Sequence, residues 1–98
     1  MRVRVSRQAQ SELDEIFVYV AEHAGLDAAD RLVEAIEEQF ALLGESPGIG
    51  RRRDDLAPGV LSFPMGKYLV YYRKARAAVQ ILHVFHGARD QGSALRRE

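Results

Sequence analysis

Residues 7–44 carry one apolar pattern that is interrupted once, and the interruption limits what the chain can become. In RQAQSELDEIFVYVAEHAG the apolar positions are Ala9, Leu13, Ile16, Phe17, Val20 and Ala24, at steps of three and four that draw one stripe along a helix. Ser6 stands where an N-cap belongs, and Gly25 where a helix stops. From Asp27 the pattern resumes through AADRLVEAIEEQFALLG, with Ala29, Leu32, Val33, Ile36, Phe40 and Leu43 as its stripe and Gly44 as its end. Asp27 and Asp30 suit the positive N-terminal end of that second helix. Gly25–Leu26 is too short to carry the two helices apart, so they fold back as an antiparallel hairpin with a shared apolar side. Glu12, Asp14, Glu15, Glu34, Glu37 and Glu38 are assigned to the outer, solvated faces.

The apolar side of the hairpin needs a surface to bury against, and the rest of the chain reads as a sheet. Arg2–Val5 alternates polar and apolar residues. VLSFP (60–64), KYLVYYR (67–73) and AVQILHVF (78–85) follow as three strands, and their links, Met65–Gly66 and Lys74–Ala77, have hairpin length. The expected architecture is α+β: an N-terminal strand, then the helical hairpin packed on one face of a small, mainly antiparallel sheet, in the order β-α-α-β-β-β. With 98 residues there is room for one domain, 1–98, in which 91–98 is a loose or briefly helical tail. Between hairpin and meander, ESPGIGRRRDDLAPG (45–59) is a long Pro- and Gly-rich connection. Its Arg51–Arg52–Arg53 run is either a solvated charge cluster or a loop that contacts phosphate or a partner. The absence of cysteine excludes disulfides and thiolate chemistry. No window approaches the ~18 apolar residues of a membrane span, and the N-terminus has no apolar leader, so the expected location is the cytoplasm.

Net charge is zero but unevenly spread. Residues 1–50 hold 4 Arg and 10 Asp or Glu, a balance of −6; residues 51–98 hold 10 Lys or Arg and 4 Asp or Glu, a balance of +6. Such asymmetry presents two surfaces, the basic one suited to nucleic acid or an acidic protein. The segment HVFHGARD concentrates polar residues at the end of the last strand. Strict alternation sets Val79, Ile81, His83 and Phe85 on one face and Gln80, Leu82, Val84 and His86 on the other, so the two histidines cannot share a metal, and no metal site or cofactor is expected. The middle strand divides into Tyr68, Val70 and Tyr72 against Leu69, Tyr71 and Arg73. Both faces therefore carry apolar bulk, while one hairpin covers one face. The uncovered face reads as a partner-binding surface, with Leu69, Tyr71, Arg73, Leu82 and Val84 as its candidate residues.

The order of elements, together with Pro47, Gly50 and Arg51 in P-x-x-G-R, Tyr68, Tyr72 and Arg73 in Y-x-x-x-Y-R, and His86, Arg89 and Asp90 in H-x-x-R-D, resembles the ParE branch of the RelE/ParE toxin superfamily from about Val5 to Asp90. The resemblance implies the toxin of a two-component module, neutralised by a cognate ParD-like antitoxin that wraps it. It also implies one of two activities. ParE-like members block DNA gyrase by binding; RelE-like members cut messenger RNA on the ribosome. Cleavage would need an acid, a base and cations at the phosphate, for which Arg73, His86 and Arg89 are the candidates. The chain has no tyrosine after Tyr72, a neutral VLSFP strand and no net positive charge, so the expected activity is gyrase inhibition without catalysis. Arg73, Arg89, Arg96 and Arg97 are then candidates for target contact, and His86, Arg89 and Asp90 for fixing a turn. A third reading is a module that binds an antitoxin and poisons nothing.

Overall fold

The computed structural model describes residues 1–87. Strand β1 (Arg2–Val5) leads into helix α1 (Arg7–Ala24), helix α2 (Leu26–Glu45) and a 3-10 turn (Pro47–Ile49). Strands β2 (Arg51–Arg52), β3 (Leu61–Met65), β4 (Tyr68–Lys74) and β5 (Ala78–His86) complete the fold. The sheet order is β1-β5-β4-β3-β2, with β1 parallel to β5 and the remaining neighbours antiparallel. The expected α+β architecture is present, with one strand more than the sequence announced. Part of 45–59 is regular: Arg51–Arg52 pairs with Leu61–Ser62, and the Arg53 N–H extends the ladder to the Val60 carbonyl at 2.8 Å.

The helices begin and end for local reasons. Ser6 caps α1 by accepting the Ala9 N–H at 3.0 Å. Gly25 closes it with φ of 95°, a backbone conformation that L side chains resist. The same residue opens α2, so the second helix starts at Leu26 rather than Asp27, and Asp27 sits in the first turn instead of capping it.

Ala9 and Leu13 of α1 and Ile36, Phe40 and Leu43 of α2 bury against Leu61, Met65, Val70, Tyr72, Val79, Ile81 and Val84 of the sheet. β1 is held close under the end of α2. The terminal ammonium of Met1 donates to the Gly44 carbonyl at 2.7 Å, and a Cβ on Gly44 would stand 2.8 Å from both Met1 O and Val3 Cγ2. Gly44 is therefore a close-approach position inside α2 and not its end.

The strand faces depart from strict alternation at one residue. Tyr71 pairs with His83 but Tyr72 pairs with Ile81, so Leu82 is an extra residue bulged out of the ladder. Beyond it the faces of β5 exchange. Val84 is 2 % exposed and lies in the core opposite Val70, whereas His83 and Phe85 share the far face with Tyr71 and Leu69. The expected grouping of Val84 with Leu69, Tyr71 and Arg73 is thus corrected: Val84 packs beneath the helices and cannot meet a partner on the opposite face.

Candidate functional site

The bulge sits where β1 runs out. β1 ends at Val5, yet β5 continues to His86, and among the described residues no strand lies beside the outer edge of β5 from Leu82 onward. The first turns of α1 take over. Ser6 N–H donates to the Ile81 carbonyl at 3.0 Å, and Ser6 Oγ donates to the Leu82 carbonyl at 3.1 Å. One Glu12 oxygen accepts the Val84 N–H at 2.8 Å, while the other lies 3.1 Å from His83 Nδ1. Both side chains of that Glu12–His83 pair are nearly buried, at 11 % and 12 % exposed. Side chains thus finish an edge that backbone leaves open, which is one way proteins keep a strand end from pairing with another chain. Glu12 is not a solubility residue on the outer face; it closes the sheet. Its spacing carried a signal, since Ala9, Glu12 and Ile16 stand at steps of three and four.

Two of the motifs noted in the sequence close on each other. Tyr72 Oη donates to the Pro47 carbonyl at 2.8 Å and accepts the Gly50 N–H at 2.9 Å. A Cβ on Gly50 would fall 2.3 Å from that hydroxyl. P-x-x-G-R and Y-x-x-x-Y-R are therefore two halves of one lock that pins the 3-10 turn and the start of β2 to the sheet. Burial raises the pKa of Tyr72, and the hydrogen bond from Gly50 partly opposes the shift. A phenol whose folded pKa exceeds its unfolded value adds stability that is complete below about pH 10 and lost as pH rises through the folded pKa. As the pH rises above about 10, the denaturation midpoint of the wild type is expected to fall more steeply than that of Tyr72→Phe. Parallel slopes in urea titrations would refute this.

The far face of the sheet is less open than alternation implies. Tyr71 at its centre is fully buried, Ser62 is nearly so, and Leu69 and Phe85 are half-buried. Phe85 meets Tyr71 edge-on at 5.8 Å and is stacked by His83 at 4.9 Å. The Arg53 guanidinium lies 6.0 Å above the Tyr71 ring. Among the described residues the large apolar side chains that are exposed are Val18, Tyr19, Leu26 and Leu42 on the helices, Met1 and Val5 at the start, and Ile49 in the 3-10 turn. The far face is aromatic at its centre, with arginines along the β2 side, and not a continuous apolar sheet.

The structure separates the residues that cleavage would need together. Arg73 pairs with Gln80 at one end of the β4–β5 ladder, and its Nε donates to Gln80 Oε1 at 3.3 Å. His86 pairs with Tyr68 at the opposite end, with the two rings edge to face at 5.5 Å. Five residue steps along β4, roughly 17 Å, separate these positions. They also fall on opposite faces: Tyr68 and Val70 point to the core side, Arg73 with Tyr71 to the far side. Arg73 and His86, expected as joint candidates for cleavage, are thus kept apart by this register. His83 and His86 likewise lie on opposite faces, and among the described residues no three His, Cys, Asp or Glu side chains cluster. Arg89, Asp90, Arg96 and Arg97 lie outside the described residues.

Such an arrangement defines a class: a small α+β module whose sheet presents an arginine-edged aromatic face and holds Arg73 and His86 apart. The family model described as "ParE toxin of type II toxin-antitoxin system, parDE" matches residues 3–91. The chain is 33 % identical over 94 residues to Toxin ParE3 of Caulobacter vibrioides, covering 96 % of this chain and 94 % of that protein. It is 26 % identical over 90 residues to Toxin ParE1 of Mycobacterium tuberculosis, covering 91 % and 92 %. A solved structure titled "Chromosomal ParDE TA system from P. aeruginosa" superposes with a TM-score of 0.78 at 25 % identity, covering 88 % of this chain and 95 % of that one. The chain belongs to the ParE toxin family of type II toxin–antitoxin systems.

Proposed function

We propose that this protein is the toxin of a type II toxin–antitoxin module, that it inhibits DNA gyrase by binding rather than by catalysis of its own, and that a ParD-like antitoxin neutralises it. Family membership supports the toxin role, and the ParDE title of the similar structure supports an antitoxin partner. The observation that carries the choice of target is the separation of Arg73 from His86: the pair that a ribonuclease reading would use sits at opposite ends and on opposite faces of the β4–β5 ladder. A binding protein has no need of that pair.

The test is a plasmid supercoiling assay with purified gyrase. The chain is expected to block supercoiling at micromolar concentration, and His86→Gln is expected to block it equally. Primer extension on messenger RNA in a translating extract is expected to show no codon-phased cuts. Unimpaired supercoiling together with cuts in the ribosomal A site would replace this reading with the endonuclease one.

A further inference from the structure

Beside the far face, β2 covers β3 only at Leu61 and Ser62, so the edge of β3 from Phe63 onward borders an open groove of about 380 Å³. Ile49, Phe63, Pro64 and Leu69 form its apolar wall, and Arg51 and Arg53 stand in its rim. Pro64 offers no N–H, which disfavours pairing with an added strand and leaves side-chain recognition as the use of this groove.

Two observations indicate what it recognises. The first is the state of Arg53. Its side chain is 19 % exposed, and its fork already holds a carboxylate: Nε and Nη2 donate to the two oxygens of Asp55 at 3.2 and 3.3 Å. Asp55 itself is 58 % exposed, two residues away on the same loop. The carboxylate is exposed while the arginine is largely sheltered, and the geometry is the bidentate one that a free carboxylate would adopt. The second is Tyr71. Its ring lies under the Arg53 guanidinium, and its fully buried hydroxyl has no acceptor for its proton among the described residues. An orphaned buried donor is costly, and such groups call for an explanation. Among the described residues Arg51 has no ion-pair partner, and it stands on the same side as Ser62 and Tyr71 through the register of β2, β3 and β4.

We propose that Arg53, Arg51 and the Tyr71 hydroxyl form a carboxylate-binding site that receives a glutamate or aspartate from an acidic protein segment, with an adjacent apolar residue of that segment seated against Ile49 and Leu69. The site rests on the toxin–antitoxin reading only for the expectation that a protein partner exists. Asp55 serves as the internal occupant that the partner's carboxylate displaces. A nucleic acid fits less well, because Asp54 and Asp55 set two negative charges in the same loop. A single carboxylate exchanges with Asp55 one for one, while a phosphodiester chain brings several charges against both.

The experiment uses the full chain with nitrogen-15 label, reading the Arg53 Nε–Hε resonance during titration with N-acetyl-Leu-Glu-Leu-amide. The glutamine counterpart and the tetranucleotide dT4 serve as comparison probes. The glutamate peptide is expected to bind at least tenfold more tightly than the glutamine peptide, and dT4 not to compete with it. Asp55→Asn is expected to tighten binding several-fold by removing the internal competitor, and Arg53→Gln to abolish it. Tyr71→Phe is expected to weaken binding three- to tenfold while leaving thermal stability unchanged or raised, which separates a binding role from a packing role. Equal affinity for the two peptides, no effect of Asp55→Asn, or saturation by dT4 in preference to the peptide would overturn the site. None of these readouts depends on gyrase or on an antitoxin. A failure here with supercoiling inhibition intact removes this inference alone; the reverse result removes the target and keeps the site.

Discussion

Gly50→Ala is expected to destabilise the protein by roughly 3 kcal/mol, lowering the melting temperature by about 12–24 °C. The backbone at Gly50 is ordinary, with φ of −73° and ψ of 164°, so alanine suffers no conformational penalty there. The cost is steric. A Cβ would stand 2.3 Å from Tyr72 Oη, 2.8 Å from Tyr72 Cε1 and 2.9 Å from the Ser62 carbonyl. The carbonyl belongs to β3 and cannot step aside without disturbing its pairing with β2 or β4. The Tyr72 hydroxyl can move, but only by giving up its bonds to Gly50 N–H and the Pro47 carbonyl. Each is worth about 1 kcal/mol net, and the groups left buried add more. Gly48→Ala is the matched control, because nothing lies within 4 Å of a Cβ there, and a change below about 0.5 kcal/mol is expected.

A double-mutant cycle tests the lock itself. Tyr72→Phe alone loses both hydrogen bonds, about 1–2 kcal/mol. In the pair Gly50→Ala with Tyr72→Phe, the hydroxyl that collides with the new methyl is gone. The combined loss is expected to fall short of the sum of the single losses by at least about 0.5 kcal/mol. Strict additivity in chemical denaturation would mean that the two residues do not act on one another.

The hairpin was legible because its signals are local. Caps at Ser6 and Gly25 and stripes at helical spacing depend on residues within a turn or two of each other. The meander was legible for the same reason: its links are short, so the partners of β3, β4 and β5 follow from chain order. What stayed hidden depends on contacts distant in sequence. Leu82 is as apolar as Ile81 and Val84, so nothing in the string AVQILHVF marks it as the extra residue, and one missed insertion moves every later side chain to the wrong face. Val84 was misplaced for that reason alone. β2 was hidden because two arginines show no strand periodicity; they pair only because β3 lies beside them. The motifs P-x-x-G-R and Y-x-x-x-Y-R were visible as marks of kinship, but their mutual hydrogen bonds span 22 and 25 residues. Counting apolar side chains implies an open apolar face, because the count takes no account of Arg53 lying over Tyr71 or of His83 stacked on Phe85.

Glu12 makes the same point with consequences for stability, since its effect is expected to exceed that of the other helix-surface carboxylates several-fold. Glu12→Ala removes the acceptor for the Val84 N–H and the partner of His83 at once, in a position where both side chains are about one-tenth exposed. Water has poor access to replace the carboxylate, so the expected cost is about 3 kcal/mol. Glu12→Gln keeps an oxygen for the Val84 N–H and an amide that can donate to His83 Nδ1, so about 1 kcal/mol is expected there. Glu34→Ala, on an exposed part of α2, is expected to change stability by no more than about 0.5 kcal/mol. Amide exchange gives the local readout. The Val84 N–H is expected to exchange much faster in Glu12→Ala, with a smaller change at Val70, whose strand is paired on both sides. A melting temperature within 2 °C of wild type for Glu12→Ala (roughly a few tenths of a kcal/mol) would mean that the end of β5 does not need a carboxylate to close it. The sheet would then be stable with that edge open, and α1 would hold to it by apolar packing alone.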